Sequence, residues 1–220
     1  MCQFAALLQR RNQPGDWAEA ERLFRRMHEI NEELLRESPN SAPGKKDVAA
    51  GASQFATFLQ RRNQPGDQKK AKQLFRRMHE LNEELLRESP QSTPAMQDVA
   101  AGAFQFAIFF QERNQKRDGD EAEPLFRRAL EIDLQLLELH PLSKDWVSKT
   151  SFVLSSLARL LRDRGDAEEA GRVEKQDFET LQSSQLKGAE LDARILSKYD
   201  MLRRRFGTSS KTPANATEQS

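Results

Sequence analysis

Three histidines, a single cysteine and a dense population of carboxylates are the side chains that could carry chemistry in this 220-residue sequence. His28 and His79 come first, since imidazole serves both as metal ligand and as general base. They sit 51 residues apart in near-identical surroundings, and neither has a second histidine four residues away. Equivalent positions on neighbouring helices are separated by about 10 Å or more, so the pair reads as repeat-duplicated surface histidines. Cys2 has no partner for a disulfide or a multi-cysteine zinc site. Pro43-Gly44-Lys45-Lys46 lacks the preceding glycine and the following Ser/Thr of a phosphate-binding loop. Neither a Gly-x-Ser-x-Gly elbow nor a His-Glu-x-x-His helix occurs. The carboxylates alternate with cations on helix faces. The expectation is a non-enzyme with no catalytic residue, no cofactor and no metal.

The arginine pairs Arg25-Arg26, Arg76-Arg77 and Arg127-Arg128 could form a basic stripe that reads phosphates. Glu29, Glu32, Glu33 and their copies stand one turn away and neutralise it. The whole chain carries 35 Lys+Arg against 34 Asp+Glu, which leaves no positive excess for nucleic-acid binding. No run approaches the ~18 apolar residues of a membrane span, and no basic-then-apolar leader opens the chain. Asn215-Ala216-Thr217 matches a glycosylation acceptor, but without a leader that match is empty. The expected location is cytoplasmic, with no membrane partner.

What must position these side chains is a repeat. Arg10-Arg11-Asn12-Gln13-Pro14-Gly15-Asp16 returns as residues 61–67, and Phe24, Phe75 and Phe126 follow one another at 51 residues. Between 3–39 and 54–90 roughly three-quarters of positions are identical, the mark of a stacked array. Each unit holds two helices. Trp17, Ala20, Leu23, Phe24, Met27, Ile30, Leu34 and Leu35 make one apolar stripe at three- and four-residue spacing. Asn12-Gln13-Pro14-Gly15 breaks the chain before it, Asp16 stands where an N-cap acceptor belongs, and Ser38-Pro39 ends it. Asn40 to Lys46, with Pro43-Gly44, reads as a loop, so the next first helix is expected from about Asp47 and its successor from Asp98. The most apolar run, Phe104 to Phe110, lies in the third unit. The fourth unit is divergent: Phe106 to Leu157 keeps the spacing of 51, while Ala122 to Ala170 spans 48, so the earlier turns carry a three-residue insertion.

These expectations define an all-α protein: a right-handed α-solenoid of four helix-turn-helix repeats plus a C-terminal capping helix. The array spans 1–206, with units at about 1–39, 45–90, 96–141 and 145–184 and the cap at 186–206, followed by a disordered tail, 207–220.

Leu157-Ala158, Leu161, Gly165-Asp166 and Ala170 resemble the tetratricopeptide repeat, with its first-helix Leu-Gly/Ala, its inter-helix Gly-Asp and its second-helix Ala. Phe4-Ala5, Phe55-Ala56 and Phe106-Ala107 take the first position, and Ala20, Ala71 and Ala122 the last. Phe24, Phe75 and Phe126 fall at the aromatic knob four residues on. Ala129-Leu130-Glu131-Ile132-Asp133 is similar to the family's second-helix ending. The resemblance covers residues 2 to about 184. Units of 51 residues exceed the family's usual length and are similar to the long-repeat arrays attached to bacterial signalling proteins.

The resemblance implies a concave groove lined by first helices that holds a protein or peptide partner. Carried over by position, its lining is Cys2, Ala6 and Gln9, then Ser53, Thr57 and Gln60, then Phe104, Ile108 and Gln111, then Ser155, Arg159 and Arg162. Gln9, Gln60 and Gln111 would form an amide ladder able to bond an extended backbone, beside the plainer reading of solvated helix formers. Ala6, Thr57 and Ile108 along the middle, with only Arg10 and Arg61 at the edge, disfavour a carboxylate clamp and favour a neutral or mildly apolar segment. The alternative function is an oligomerisation or sensor module, the terminal part of a larger signalling protein, self-associating through its exposed N-terminal repeat.

Overall fold

The computed structural model describes Leu8, Arg11, Gln13 and residues 15–207. Eight helices of the described residues follow one another: α1 Asp16–Glu37, α2 Ala42–Arg62, α3 Asp67–Glu88, α4 Thr93–Arg113, α5 Asp118–Leu139, α6 Lys144–Asp163, α7 Ala167–Leu186 and α8 Ala193–Phe206. No strand occurs among the described residues. The chain divides into two compact units, Met1–Ile132 and Asp133–Ser220, with the division inside α5. Cys2, Ala6, Gln9, Arg10 and the 208–220 tail lie outside the described residues.

The first helices begin about five residues earlier than the sequence suggests. Proline is tolerated in a first helical turn, where its missing N–H is unpaired anyway. Pro43 occupies that place in α2, and the Ser41 hydroxyl accepts from the Gly44 N–H at 3.1 Å. Ser92 caps α4 in the same way. Thus Pro43-Gly44 starts a helix rather than forming a loop. The last helix is shorter than expected: Gly188, at φ 91°, turns the chain after α7, and Asp192 caps α8 by accepting from the Ile195 N–H at 2.9 Å.

The turn aspartates also differ from expectation. Gly15 and Gly66, both at φ 88°, occupy the N-cap positions of α1 and α3. Asp67 is the buried first helical residue and faces backward, accepting from the Gln64 N–H at 2.8 Å and from both arms of Arg62. Those Arg62 bonds hold its carboxyl below the ordinary range, against the burial that pushes it up. Arg11–Asp16 and Arg113–Asp118 repeat the arrangement. Asp166, in the shorter turn, is by contrast a true cap, accepting from the Glu169 N–H at 3.1 Å.

In the first unit the aromatic knobs are buried, Phe24 and Phe75 between successive pairs and Phe126 within its own pair. Phe24 on α1 stacks on Phe55 and leans on Phe58 of α2, at 5.9 and 5.1 Å. Phe75 on α3 meets Phe106 and Phe109 of α4 at 5.7 and 5.3 Å. Phe126 packs edge-on against Phe104 at 5.7 Å. The second arginine of each later pair reaches back one repeat: Arg77 makes two bonds to Glu32, and Arg128 two to Glu83. Lys45, buried where later repeats place Met96 and Val147, spans from α2 to Glu84 and Glu88 of α3. Amide clasps complete the repeat interface: Asn31 donates to the Asp47 carbonyl at 3.0 Å, and Asn82 to that of Asp98 at 2.8 Å.

Gly102 makes room for the second clasp. A Cβ there would meet the Asn82 Nδ2 at 2.8 Å and the Met78 Cε at 3.1 Å, whereas at Gly51 the nearest atoms lie at 3.3 Å. Alanine gains roughly 0.5–1 kcal/mol over glycine in a helix interior, but displacing Asn82 forfeits a buried hydrogen bond worth about 1–3 kcal/mol. Gly102→Ala is therefore expected to lose about 1 kcal/mol net, and Gly51→Ala to be neutral or stabilising. Urea unfolding of the two variants checks this, and equal effects would contradict it.

In the second unit, Val147, Phe178, Leu181, Ala189, Ile195, Tyr199 and Leu202 form one core. Tyr199 of α8 stacks on Phe178 of α7 at 5.8 Å, so α8 caps this unit by covering the apolar face that α6 and α7 leave open.

Candidate functional site

The expected groove residues of the first unit lie on one face of α2 and α4. Thr57, Gln60, Phe104 and Ile108 line a common depression of about 340 Å³, together with Arg61, Gln105 and Glu112, over the ring of Phe75. Its middle is apolar or neutral, with one cation and one carboxylate at the margin. Ser53 lies in a second depression of about 390 Å³ toward the N-terminal ends of the same helices, beside Lys46, Asp47, Asn82, Asp98 and Gln105. Gln105 borders both. The two hollows form a trough along α2 and α4, crossed midway where the Ser53 hydroxyl donates to Gln105 Oε1 at 2.7 Å.

The amides are not free. Gln60 Nε2 donates to Glu112 Oε2 at 2.6 Å, one position past the expected ladder neighbour Gln111. Gln111 is half-buried on α4, outside that hollow's lining. The Thr57 hydroxyl is turned back onto the Ser53 carbonyl at 2.9 Å, so its methyl borders the hollow. Gln60 keeps one N–H and its carbonyl oxygen for a ligand. Gln9 lies outside the described residues, and Arg159 is exposed on α6 in the second unit.

Lys46, Asp47, Asp98, Gln105 and Glu112 are trough residues that position-by-position transfer missed. Their signal was the repeated Asp-Val-Ala-Ala-Gly-Ala at 47–52 and 98–103. Small residues there keep the wall low, and the extra helical turn from Ser41 brings Lys46 onto it. Desolvation pushes the Asp98 carboxyl above its ordinary value, opposed by Lys46.

The histidines are not open-surface residues. His28 and His79 are half-buried, and His28 lies 6.4 Å from the Phe55 ring. Burial lowers both imidazoles below their ordinary values, and the Nδ1 of each is buried without a hydrogen-bond partner. No cluster of three or more His, Cys, Asp or Glu suited to a metal occurs among the described residues. None of their helices is long and apolar enough to cross a membrane.

No family model matches the chain, and no curated protein matches it. Among solved structures it is similar to the DHF79 filament, at 17% identity and a TM-score of 0.39, over 87% of this chain and 100% of that one. The de novo designed helical repeat protein DHR64 follows at 18% identity and a TM-score of 0.40, over 88% and 94%. The DHF119 filament matches at 17% and 0.40, over 87% and 94%. Likenesses this loose carry no argument about function. The recurring helix pairs and their 51-residue period make this chain an all-α helical-repeat protein.

Proposed function

We propose that the chain is a non-catalytic binding scaffold of the tetratricopeptide type, holding a protein segment in the trough along α2 and α4. The observation that carries this reading is the hollow lined by Thr57, Phe104, Ile108 and the edge of Phe75. It offers an apolar seat flanked by side-chain amides, the pairing that fixes an extended segment by one side chain and its backbone. The partner expected is a neutral or mildly apolar segment. The margin supplies Arg61 and Glu112 together, so neither a strongly acidic nor a strongly basic segment is favoured.

The test is a peptide-display selection on the full chain, followed by binding measurements on two variants. Ile108→Arg, half-exposed in the trough, is expected to weaken the selected peptides at least tenfold with little change in melting temperature. Gln60→Ala is expected to weaken them several-fold, because a backbone bond is lost while the apolar seat stays. Failure to enrich any peptide, or equal binding by wild type and Ile108→Arg, would refute the reading.

A further inference from the structure

Asn31, Asn82 and Asp133 hold the same place in successive repeats, each 51 residues after the last. The first two donate a side-chain N–H to a backbone carbonyl sixteen residues on, those of Asp47 and Asp98. The corresponding carbonyl for Asp133 is that of Lys149 on α6, and both residues belong to the second unit. Asp133 is only 4% exposed. An amide always has a hydrogen to give, whereas a carboxylate has none and a carboxylic acid has one.

We propose that Asp133 is the third member of this series of clasps, made by a carboxylic acid in place of an amide, so that the joint between α5 and α6 within the second unit closes when Asp133 carries a proton and loosens when it loses it.

The surroundings favour such a joint. Lys149 is the charged group facing Asp133 from α6, and its ammonium is drawn 3.9 Å over the Trp146 ring. On α7, Asp177 is engaged by Lys198 of α8, and Glu179 by Lys175 of its own helix. On α5 itself, Glu138 is exposed, as is His140 just past its end. Burial pushes the Asp133 carboxyl up to about 6, only partly opposed by Lys149. A carboxyl raised on folding stabilises the fold most below its unfolded value near 4 and loses that advantage as pH climbs through 6. Across that window the folded-to-unfolded ratio is expected to fall roughly a hundredfold. Ionised Asp133 would also compete with the Trp146 ring for the Lys149 ammonium.

The experiment uses the full chain carrying Trp17→Phe, which leaves Trp146 as its single tryptophan. Fluorescence followed from pH 4.5 to 8 is expected to change with a midpoint near 6. Asp133→Asn, which keeps a donor at every pH, is expected to abolish that transition and to lose less of its urea midpoint between pH 4.5 and 7.5 than wild type does. A flat wild-type profile, or a transition that survives in Asp133→Asn, overturns the proposal. Asp133→Leu separates a donated bond from mere relief of a buried charge. The proposal requires it to fall short of Asp133→Asn at pH 7.5, and a Leu variant equal to Asn overturns it.

Discussion

Replacing Lys198 by methionine is expected to remove about 3–5 kcal/mol of stability at neutral pH, the cost of leaving a buried charge without its partner. The Lys198 ammonium on α8 donates to the Ser151 carbonyl at 2.8 Å, to the Ser151 hydroxyl at 2.7 Å and to Ser155, and it pairs with Asp177 of α7. Asp177 is only 2% exposed; Lys198 pairs with its Oδ2, while its Oδ1 is buried without a hydrogen-bond partner. Methionine fills nearly the same volume as lysine, so packing of the stem survives and the electrostatic part is isolated. Burial already pushes the Asp177 carboxyl up despite Lys198. Without the ammonium it rises further, so the loss should be small in acid, where the carboxyl is protonated in both states, and full at neutral pH. The double variant Asp177→Leu with Lys198→Met removes both charges and is expected to recover most of the loss, since apolar replacements of buried ion pairs are often neutral or better. Urea unfolding at pH 4 and pH 7.5 reads all three. A single variant that loses less than 1 kcal/mol, or whose loss ignores pH, would show that water reaches Asp177.

This network also marks how far the sequence could be read. Of the stripe from Trp17 to Leu35, Ala20, Phe24, Met27 and Leu35 are buried while Leu34 stands 56% exposed. These buried positions, the ends at Ser38, Ser89 and His140, and the packing of Phe24, Phe75 and Phe126 follow from local spacing, because a stacked repeat buries the same positions each time. The three-residue difference in turn length was equally legible. It separates Asp67, buried and bound by Arg62, from Asp166, which caps α7. Two kinds of feature were not legible. Pro43-Gly44 was ambiguous because proline breaks a helix interior but fits its first turn, and only the Ser41 cap decides between them. Bonds across repeats, such as Arg77 to Glu32, Gln60 to Glu112 or Lys198 to Asp177, join residues far apart in the chain by neighbour geometry rather than periodicity. Thr57, Gln60, Phe104 and Ile108 are grouped in advance only by what the tetratricopeptide resemblance implies about the face of the first helices. Lys46 and Asp98 could not: Lys46 falls in the stretch that reads as a loop, and Asp98 at the very start of the expected helix.

The helix pairs rest chiefly on the knobs, and Phe75 is the one whose removal tests this most sharply. Phe75→Ala is expected to cost about 3–5 kcal/mol, the range for emptying a buried aromatic site that relaxes only in part. Its ring is 1% exposed and lies against Phe106 and Phe109, which in turn contact Phe110 at 4.8 and 5.5 Å. Lys72 and Arg113 cover the outer faces of that cluster, the Lys72 ammonium 5.0 Å and the Arg113 guanidinium 5.3 Å from the Phe110 ring. Cations held there restrict how far the surrounding rings can collapse into the void. Phe75→Leu keeps much of the volume and should cost less than half as much. Because Phe75 also floors the trough, the alanine variant should weaken any selected peptide along with the fold, whereas Ile108→Arg should weaken the peptide alone. Hydrogen exchange would localise the damage: amides of α3 and α4 should lose protection while those of α7 and α8 keep theirs, since a repeat chain couples each unit mainly to its neighbours. Loss of protection spread evenly over all eight helices would instead mean that the chain unfolds as a single block.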